Sequence, residues 1–387
     1  MKPASIPASI KDIARIAGVA HSTVSRALRN SPLVHRETVT RIQRIATEAG
    51  YRTSAAARSL VTRRSDTIGV VVTNIADPFV AGVVSGIEET ADQHGFSVFL
   101  ANSNAEPERE VRVARKFEER RVDGIIVTAS RVGAEYVPLL SHMQVPIVLL
   151  NNQHAGQFAH SVMIANVQAS LEATRHLIAL GHRRIAYLGD RYGYQSDAER
   201  YAGYRQALEE GGLPFEPQLV VHGDGKPEGA ETAIADLLAL PQPPSAVFCY
   251  NDMSALGAMR QIRNHGLRIP ADISIVGFDD LYISQYLNPA LTTVRQPMRQ
   301  MGRAAMETLL QIFAGADSGN YIKAGHYIKA GHDIKVPGEL IVRQSTAPPS
   351  TAPPSTTPPS TKPLSTPALS HRTTRFFTAV TTISCRL

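Results

Sequence analysis

The sequence predicts an α/β protein with a small all-α segment at its amino terminus, and three observations support this prediction. Short β-branched runs recur from residue 67 onward at intervals of roughly thirty residues, with helical patterns between them. Strands that alternate with helices in this way form parallel sheets. Residues 10–50, in contrast, show only helical periodicity. The expected strands are too many for one small sheet, so we predict two lobes, each built on a parallel sheet.

Each element of this prediction has its own signal. Ser9 and Asp12 form a capping-box pattern before the first helix, Gly18 ends that helix, and Gly50 ends the third. The predicted strands are Ile68–Val72, Ser97–Leu100, Gly124–Val127, Ile147–Leu150, Ile185–Leu188, Leu219–Val221, Ala246–Phe248 and Ile273–Val276. The helices expected between them are Val83–His94, Glu108–Arg120, Ala169–Leu180, Ala198–Glu210 and Ala255–Asn264.

Composition and charge exclude several classes of protein. Among 387 residues there are two cysteines, Cys249 and Cys385, which excludes a disulfide scaffold and a thiolate metal cluster and suits a reducing cytoplasm. No apolar run approaches the ~20 residues of a membrane span, and we expect neither a membrane partner nor a secretory signal. Residues 1–64 carry a net charge of +9, whereas residues 65–344 carry −7. A basic head on an acidic body favours a polyanionic partner such as nucleic acid.

The second helix of the head has the pattern of a DNA-recognition helix. Val24 and Leu28 would face the core, and the opposite face would present polar and basic side chains after a glycine-containing turn. The side chains on that face are His21, Ser22, Ser25, Arg26 and Arg29. Many small helical hairpins share this pattern, so it does not by itself decide between DNA binding and a structural role.

The residues themselves are more specific than the pattern. Lys11-Asp12-Ile13-Ala14-Arg15-Ile16-Ala17-Gly18-Val19-Ala20-His21-Ser22-Thr23-Val24-Ser25-Arg26-Ala27-Leu28 resembles the headpiece of the LacI/GalR family of bacterial regulators. Further motifs that match in order are Gly50-Tyr51-Arg52, Asp77-Pro78-Phe79, Gly181-His182-Arg183-Arg184, Asn251-Asp252, Gly277-Phe278-Asp279-Asp280 and Leu291-Thr292-Thr293-Val294. The resemblance implies a helix-turn-helix headpiece, a hinge helix, a core like a periplasmic binding protein, and a homodimer.

The resemblance also implies which residues contact DNA. His21, Ser22 and Arg26 match base-reading positions, whereas Thr23, Ser25 and Arg29 match phosphate contacts. Leu60 matches the apolar side chain that wedges into the minor groove of a pseudo-palindromic operator. Ala20 and His35 depart from the family because a capping Ser is common at both positions.

The two-lobed core is expected to bind a small molecule in the cleft between its lobes, at the carboxyl ends of the strands. Polar and aromatic groups that follow separate strands are the candidates, and the resemblance adds Arg200 and Gln296. The predicted effector-binding residues are Asp77, Phe79, Thr128, Asn151, Arg200, Asn251, Asp279 and Gln296. Asp252 is expected to cap the next helix instead. Gly225-Lys226 stands where many sugar-binding members have an aromatic residue, so we expect one stacking wall to be missing.

These observations divide the chain into four parts. Residues 1–54 form the headpiece, 55–65 the hinge, 66–344 the core and 345–387 a disordered Pro/Ser/Thr-rich tail. Within the core we assign 66–163 and 295–325 to the amino-terminal lobe, and 164–294 and 326–344 to the carboxy-terminal lobe. The Pro-Pro pairs of the tail exclude a coiled coil that would join dimers, so we expect a dimer.

We therefore expect a cytoplasmic, sequence-specific transcriptional regulator, most simply a repressor, whose affinity for operator DNA depends on a sugar-like effector. Two alternatives are a solute-binding protein of a sugar transport system and a regulator that needs a purine-type co-repressor. An enzyme is not expected, because no Gly-x-Gly-x-x-Gly follows the first strand and no Gly-x-Ser-x-Gly occurs. No cofactor and no metal site are expected.

Overall fold

The computed structural model describes residues 9–51, 64–128, 143–151, 160–317 and 332–350. The predicted hinge helix with Leu60, and the tail beyond residue 350, lie outside the described residues. None of the helices in the described ranges has the length and apolar character needed to cross a membrane.

The headpiece consists of three short helices around a small core. They are α1 (Ile10–Ala17), α2 (His21–Leu28) and α3 (Arg36–Glu48). The predicted capping box is present, because the Ser9 hydroxyl accepts from the Asp12 amide at 3.3 Å and the Asp12 carboxylate accepts from the Ser9 amide at 2.9 Å. Ala20 and His35, at the N-caps of α2 and α3, make no side-chain capping bond.

Beyond the headpiece, strands and helices alternate as the sequence predicts. In chain order the elements are β1 (Thr67–Val72), α4 (Pro78–Gln93), β2 (Ser97–Asn102), α5 (Pro107–Glu119), β3 (Gly124–Thr128), β4 (Ile147–Leu150), β5 (His160–Ile164), α6 (Asn166–Ala179), β6 (Ile185–Asp190), α7 (Gln195–Glu210), a 3₁₀ turn (Pro217–Leu219), β7 (Val220–Gly223), α8 (Pro227–Leu238), β8 (Ala246–Cys249), α9 (Asp252–Asn264), β9 (Ser274–Asp279), a 3₁₀ turn (Tyr282–Gln285), β10 (Thr292–Arg295), α10 (Met298–Asp317), β11 (His332–Val336) and β12 (Glu339–Ile341).

The strands form two six-stranded sheets, which confirms the two-lobed α/β prediction. The amino-terminal lobe has the order β11-β5-β4-β3-β1-β2, with every described pairing parallel. The carboxy-terminal lobe has the order β12-β10-β9-β8-β6-β7, in which only the β10–β12 pairing is antiparallel among those described. In both sheets the central strands are buried apolar runs, as parallel sheets require.

One lobe boundary predicted from the sequence is wrong. The sequence predicts that residues 326–344 belong to the carboxy-terminal lobe, but β11 pairs with β5 and completes the amino-terminal sheet. Val336, the last residue of β11, is buried in that position. The chain therefore crosses from one lobe to the other between β11 and β12, because β11 pairs in the first sheet and β12 pairs in the second.

The start of the tail also differs from the prediction of disorder. Ser345 is fully buried; its hydroxyl donates to the Ile275 carbonyl at 2.6 Å and accepts from the Thr292 amide at 2.8 Å. Ala347 continues the attachment, because its amide donates to the Ser274 hydroxyl and its carbonyl lies 2.9 Å from His182 Nε2. Residues 345–347 thus belong to the carboxy-terminal lobe, although their composition is that of the tail.

Candidate ligand cavity and nucleic-acid interface

A cavity of about 750 Å³ lies between the two lobes, at the carboxyl ends of strands from both sheets. Its volume is within the range of small-molecule sites. The structure brings every predicted effector-binding residue to its wall: Asp77, Phe79, Thr128, Asn151, Arg200, Asn251, Asp279 and Gln296. Because these residues come from separate strands and helices, only the fold brings them together.

The amino-terminal lobe supplies a carboxylate and a buried hydroxyl. Asp77 caps α4, with its carboxylate accepting from the Phe79 amide at 2.9 Å, and burial raises the pKa of Asp77. Thr128 is the last residue of β3, and its hydroxyl is buried with no hydrogen-bond partner in the described part of the chain. Such a group costs free energy unless a ligand or water satisfies it.

Arg200 of α7 is buried and held on all sides. Its Nε donates to Asn166 Oδ1 at 2.9 Å, and a terminal nitrogen donates to the Tyr250 carbonyl at 2.6 Å. The guanidinium also lies over two rings, 3.7 Å from the centroid of Phe278 and 4.7 Å from that of Tyr250. These contacts fix Arg200 as a cationic part of the wall before any ligand binds.

Asp279 ends β9 and is also buried. Its carboxylate accepts from Gln296 Nε2 at 2.6 Å, whereas Gln296 Oε1 is buried with no hydrogen-bond partner among the described residues. Burial raises the pKa of Asp279 well above its usual range; Arg200 opposes this rise, and Asp252 and Asp77 add to it. The backbone φ of Asp279 is +128°, a strained value that the surrounding structure must enforce.

The prediction that Asp252 caps α9 is wrong by one residue. Asn251 is the N-cap, since its backbone is extended and its side-chain oxygen accepts from the Ser254 amide at 2.7 Å. Asp252 is instead buried in the first turn, where it accepts from the Leu281 amide and from the hydroxyls of Ser284 and Thr293. Both residue types cap helices well, so the sequence alone did not decide between them.

On the headpiece, α2 presents the face that the sequence predicts. Val24 and Ala27 are fully buried against α1 and α3, whereas His21, Ser22 and Arg26 are exposed. Arg29 folds back along the helix, with its Nε donating to the Ser25 carbonyl at 3.1 Å. Thr23 is partly buried beside them. Because α2 lacks a side-chain cap, backbone N–H groups of its first turn remain available to an anion.

Two protein-family models match this chain, one over the headpiece and one over the core. Residues 9–54 match "Bacterial regulatory proteins, lacI family", and residues 65–332 match "Periplasmic binding proteins and sugar binding domain of LacI family". Among curated proteins, the repressor CytR of Escherichia coli K12 is 35% identical over 314 residues, which is 81% of this chain and 92% of that protein. The repressor PurR of Vibrio atlanticus is 34% identical over 305 residues, which is 79% of this chain and 91% of that protein.

The chain belongs to the LacI family. It is a transcriptional regulator with a helix-turn-helix headpiece and an effector-binding core. Among solved structures, it is similar to the Lac repressor dimer bound to operator and the anti-inducer ONPF, at a TM-score of 0.78 and 27% identity over 88% of this chain and all of that one. It is also similar to the regulator CelR in complex with cellobiose, at a TM-score of 0.64 and 29% identity over 87% of this chain and 99% of that one.

The aromatic wall of this LacI-family cavity was not predicted from the sequence. Tyr192, Tyr194 and Tyr250 all line it, so the aromatic residue missing at Gly225-Lys226 does not leave the cavity without rings. Tyr250 is further fixed because its hydroxyl lies 3.0 Å from that of Ser196. Tyr192 and Tyr194 lie in the loop that follows β6. Because groups beyond strand ends line such cavities, the reasoning that identified Asn151 could also have found them.

Proposed function

We propose that this LacI-family protein is a repressor that binds a pseudo-palindromic operator as a homodimer and releases it when a small polar ring molecule enters the cavity. The observation that carries the proposal is the joint presence, in one chain, of an exposed recognition face on α2 and an interlobe cavity lined by buried polar groups. Such a protein acts where the chromosome is, in the cytoplasm, and needs no catalytic step.

The DNA-binding part of the proposal rests on the face of α2. His21, Ser22 and Arg26 would read base edges in the major groove, and Arg26 is the side chain long enough to contact a guanine with two hydrogen bonds. Thr23, Ser25 and Arg29 would contact phosphates and set the position of the helix. Leu60 would open the central base step where two hinge segments meet. The solved Lac repressor is a dimer bound to operator, which supports the same arrangement here.

The effector part rests on the cavity. Rings of Phe79, Tyr192 and Tyr194 can flank a ligand ring, while Asp279 and Arg200 lie among polar groups that can bind its edge. The cellobiose complex of CelR and the ribose complex of a LacI-family regulator from Enterococcus faecium support a sugar or sugar derivative. A purine-type co-repressor is the second candidate, because such a ligand also offers a flat ring with N–H donors.

Site selection from random duplex DNA tests the proposed operator binding. The full chain is incubated with a random library, the bound sites are sequenced, and the consensus is measured by fluorescence anisotropy. We expect a pseudo-palindrome whose affinity falls steeply with salt, because phosphate contacts release counterions.

The matched variants are Arg26→Ala and Arg44→Ala. Both remove one positive charge from the headpiece, but Arg44 lies on α3 beside Glu48. Arg26→Ala should lose most of the preference for consensus over scrambled DNA, whereas Arg44→Ala should keep it. Leu60→Ala should reduce DNA bending. If Arg26→Ala and Arg44→Ala behaved alike, the assignment of α2 as the reading helix would be wrong.

A further inference from the structure

The part of the cavity wall formed by Asp77, Asp279 and Gln296, called the floor below, holds more negative than positive charge. Asp77 reaches it from the amino-terminal lobe and Asp279 from the carboxy-terminal lobe, with Asp252 buried behind Asp279. Arg200 is a cation that acts on Asp279. Among these four side chains the carboxylates outnumber the guanidinium, and a buried excess of charge is costly unless it is neutralised.

Arg200 is already committed to other partners. Its hydrogen bonds go to Asn166 and to the Tyr250 carbonyl, and its faces are covered by the rings of Phe278 and Tyr250. Asp252 accepts from three donors, namely the Leu281 amide and the hydroxyls of Ser284 and Thr293. Asp279, in contrast, accepts from the amide group of Gln296 and lines the cavity itself.

A second, independent observation points to a ligand that donates hydrogen bonds. Gln296 is 4% exposed, and because its Nε2 donates to Asp279, its Oε1 is left as an acceptor with no partner among the described residues. Two other carboxylates near the cavity already have partners, since Asp224 pairs with Arg191 at 3.6 Å and Asp190 accepts from the Tyr192 amide at 2.7 Å. The Gln296 oxygen therefore adds an unpartnered acceptor beside the carboxylate of Asp279.

We propose that the effector carries a positively charged nitrogen, which lies between the carboxylates of Asp77 and Asp279 and donates a further hydrogen bond to Gln296 Oε1. This inference rests on the proposed function, in that it names the chemical class of the effector. The nearby rings of Phe79 and Tyr194 suit a cation as well as a ring face.

A cation at this position would also couple the ligand to the arrangement of the lobes. Asp77 and Asp279 belong to different lobes and repel each other when both are ionised, so an empty site favours their separation or their protonation. A bridging cation removes the repulsion and favours the approach of the lobes. The ligand then stabilises one arrangement by its differential affinity, which is the physical requirement for a switch.

The proposal predicts a specific pH dependence. The groups that act on Asp279 are Arg200, Asp252 and Asp77, and burial together with the two carboxylates outweighs Arg200, so the pKa of Asp279 is raised. Below that pKa the carboxyl holds a proton, which a bound cation must displace. The affinity for an amine that stays protonated over this pH range therefore rises as the pH rises through that pKa, and binding releases protons.

The experiment compares amines with neutral molecules of matched shape. The probes are D-glucosamine with D-glucose and putrescine with 1,4-butanediol, each titrated into the full chain by calorimetry between pH 5 and 7, where primary alkylamines stay largely protonated. We expect at least one amine to bind at least ten-fold more tightly than its neutral counterpart at pH 7, with a smaller ratio at pH 5.

Isosteric variants test the assignment to Asp77 and Asp279. Asp77→Asn retains a good helix cap, and Asp279→Asn retains an oxygen that can accept from Gln296. Each should reduce the amine-to-neutral ratio about ten-fold, which corresponds to ~1.4 kcal/mol, whereas Asp236→Asn on α8, outside the cavity, should not change it.

Two results would overturn the inference. One is a panel in which no amine binds more tightly than its neutral counterpart, including a panel in which nothing binds. The other is an amine preference that survives both cavity variants. If a neutral sugar bound and released operator DNA while no amine bound more tightly than its neutral counterpart, the proposed function would stand and the cationic effector would be wrong. If no small molecule changed DNA affinity, both would fail.

Discussion

Replacing Arg200 by methionine is expected to destabilise the protein severely, because Arg200 is a buried structural cation as well as part of the cavity wall. Methionine keeps an unbranched stem that can still pack on Phe278 and Tyr250. It removes the hydrogen bonds to Asn166 Oδ1 and to the Tyr250 carbonyl, which measure 2.9 and 2.6 Å.

The magnitude follows from these contacts. A hydrogen bond from a charged donor contributes roughly 1.5–3 kcal/mol, and the substitution removes two of them. We therefore expect the free energy of unfolding to fall by about 3–5 kcal/mol. The loss should be smaller when Asp279 is also neutralised, because the carboxylate that Arg200 stabilises is then absent.

Urea unfolding at pH 7 of the wild type, Arg200→Met, Asp279→Asn and the double variant measures both effects. The double variant should be more stable than the sum of the single losses predicts, by about 1 kcal/mol or more. Arg205→Met is the matched control, since Arg205 lies on the same helix, exposed, over the ring of Phe215. If Arg200→Met cost no more than Arg205→Met, or if the Arg200 and Asp279 effects were additive, the reasoning would be refuted.

Three further predictions concern the packing of the lobes and the attached start of the tail. Truncation after Ser350 should leave the free energy of unfolding and the oligomeric state by light scattering (a dimer) unchanged. Truncation after Gln344 should lower stability by ~2–4 kcal/mol through lost hydrogen bonds; equal stabilities in urea would contradict this. Gly86→Ala should cost more than ~2 kcal/mol in urea unfolding, because its Cβ would lie 2.1 Å from the Arg299 carbonyl oxygen, whereas Gly315→Ala, with nothing within 4 Å, should be neutral or stabilising; similar effects would contradict the close crossing of α4 and α10. Burial lowers the pKa of His182, so its contribution to stability is present above about pH 6.5 and is lost as the pH falls through the folded-state pKa. The melting temperature should therefore fall more between pH 7 and pH 5 for the wild type than for His182→Gln. An equal fall in both proteins would contradict this role of His182.

The strands that could be predicted best from the sequence are those composed almost entirely of apolar residues. β1, β3, β4 and β8 are short apolar runs that can lie only inside a parallel sheet. β5 was not predicted, because His160-Ser161-Val162-Met163-Ile164 mixes polar and apolar residues and owes its burial to neighbouring strands. The lobe to which β11 belongs was predicted wrongly, because the residues of a strand do not by themselves specify which of two sheets it joins.

The residues of the candidate site likewise fall into those that the sequence could predict and those that it could not. The positions of Asp77, Asn151 and Asp279 could be predicted because they follow strands, and strand ends meet at one edge of a parallel sheet. The commitment of Arg200 to Asn166 and Tyr250, and the burial of Asp252, could not be predicted, because they depend on packing between distant helices. The attachment of Ser345 was missed because its composition matches that of the tail that follows it.

We propose that ligand binding in the cavity is coupled, within one chain, to DNA binding by the headpiece. The most direct measurement is the affinity of a cavity ligand for the full chain by calorimetry, with and without saturating operator DNA. Linkage requires that a ligand which weakens operator binding be weakened by operator to the same factor. We predict that operator lowers the ligand affinity by about five-fold or more, and that a non-operator duplex does not. Equal ligand affinity with and without operator would contradict the account.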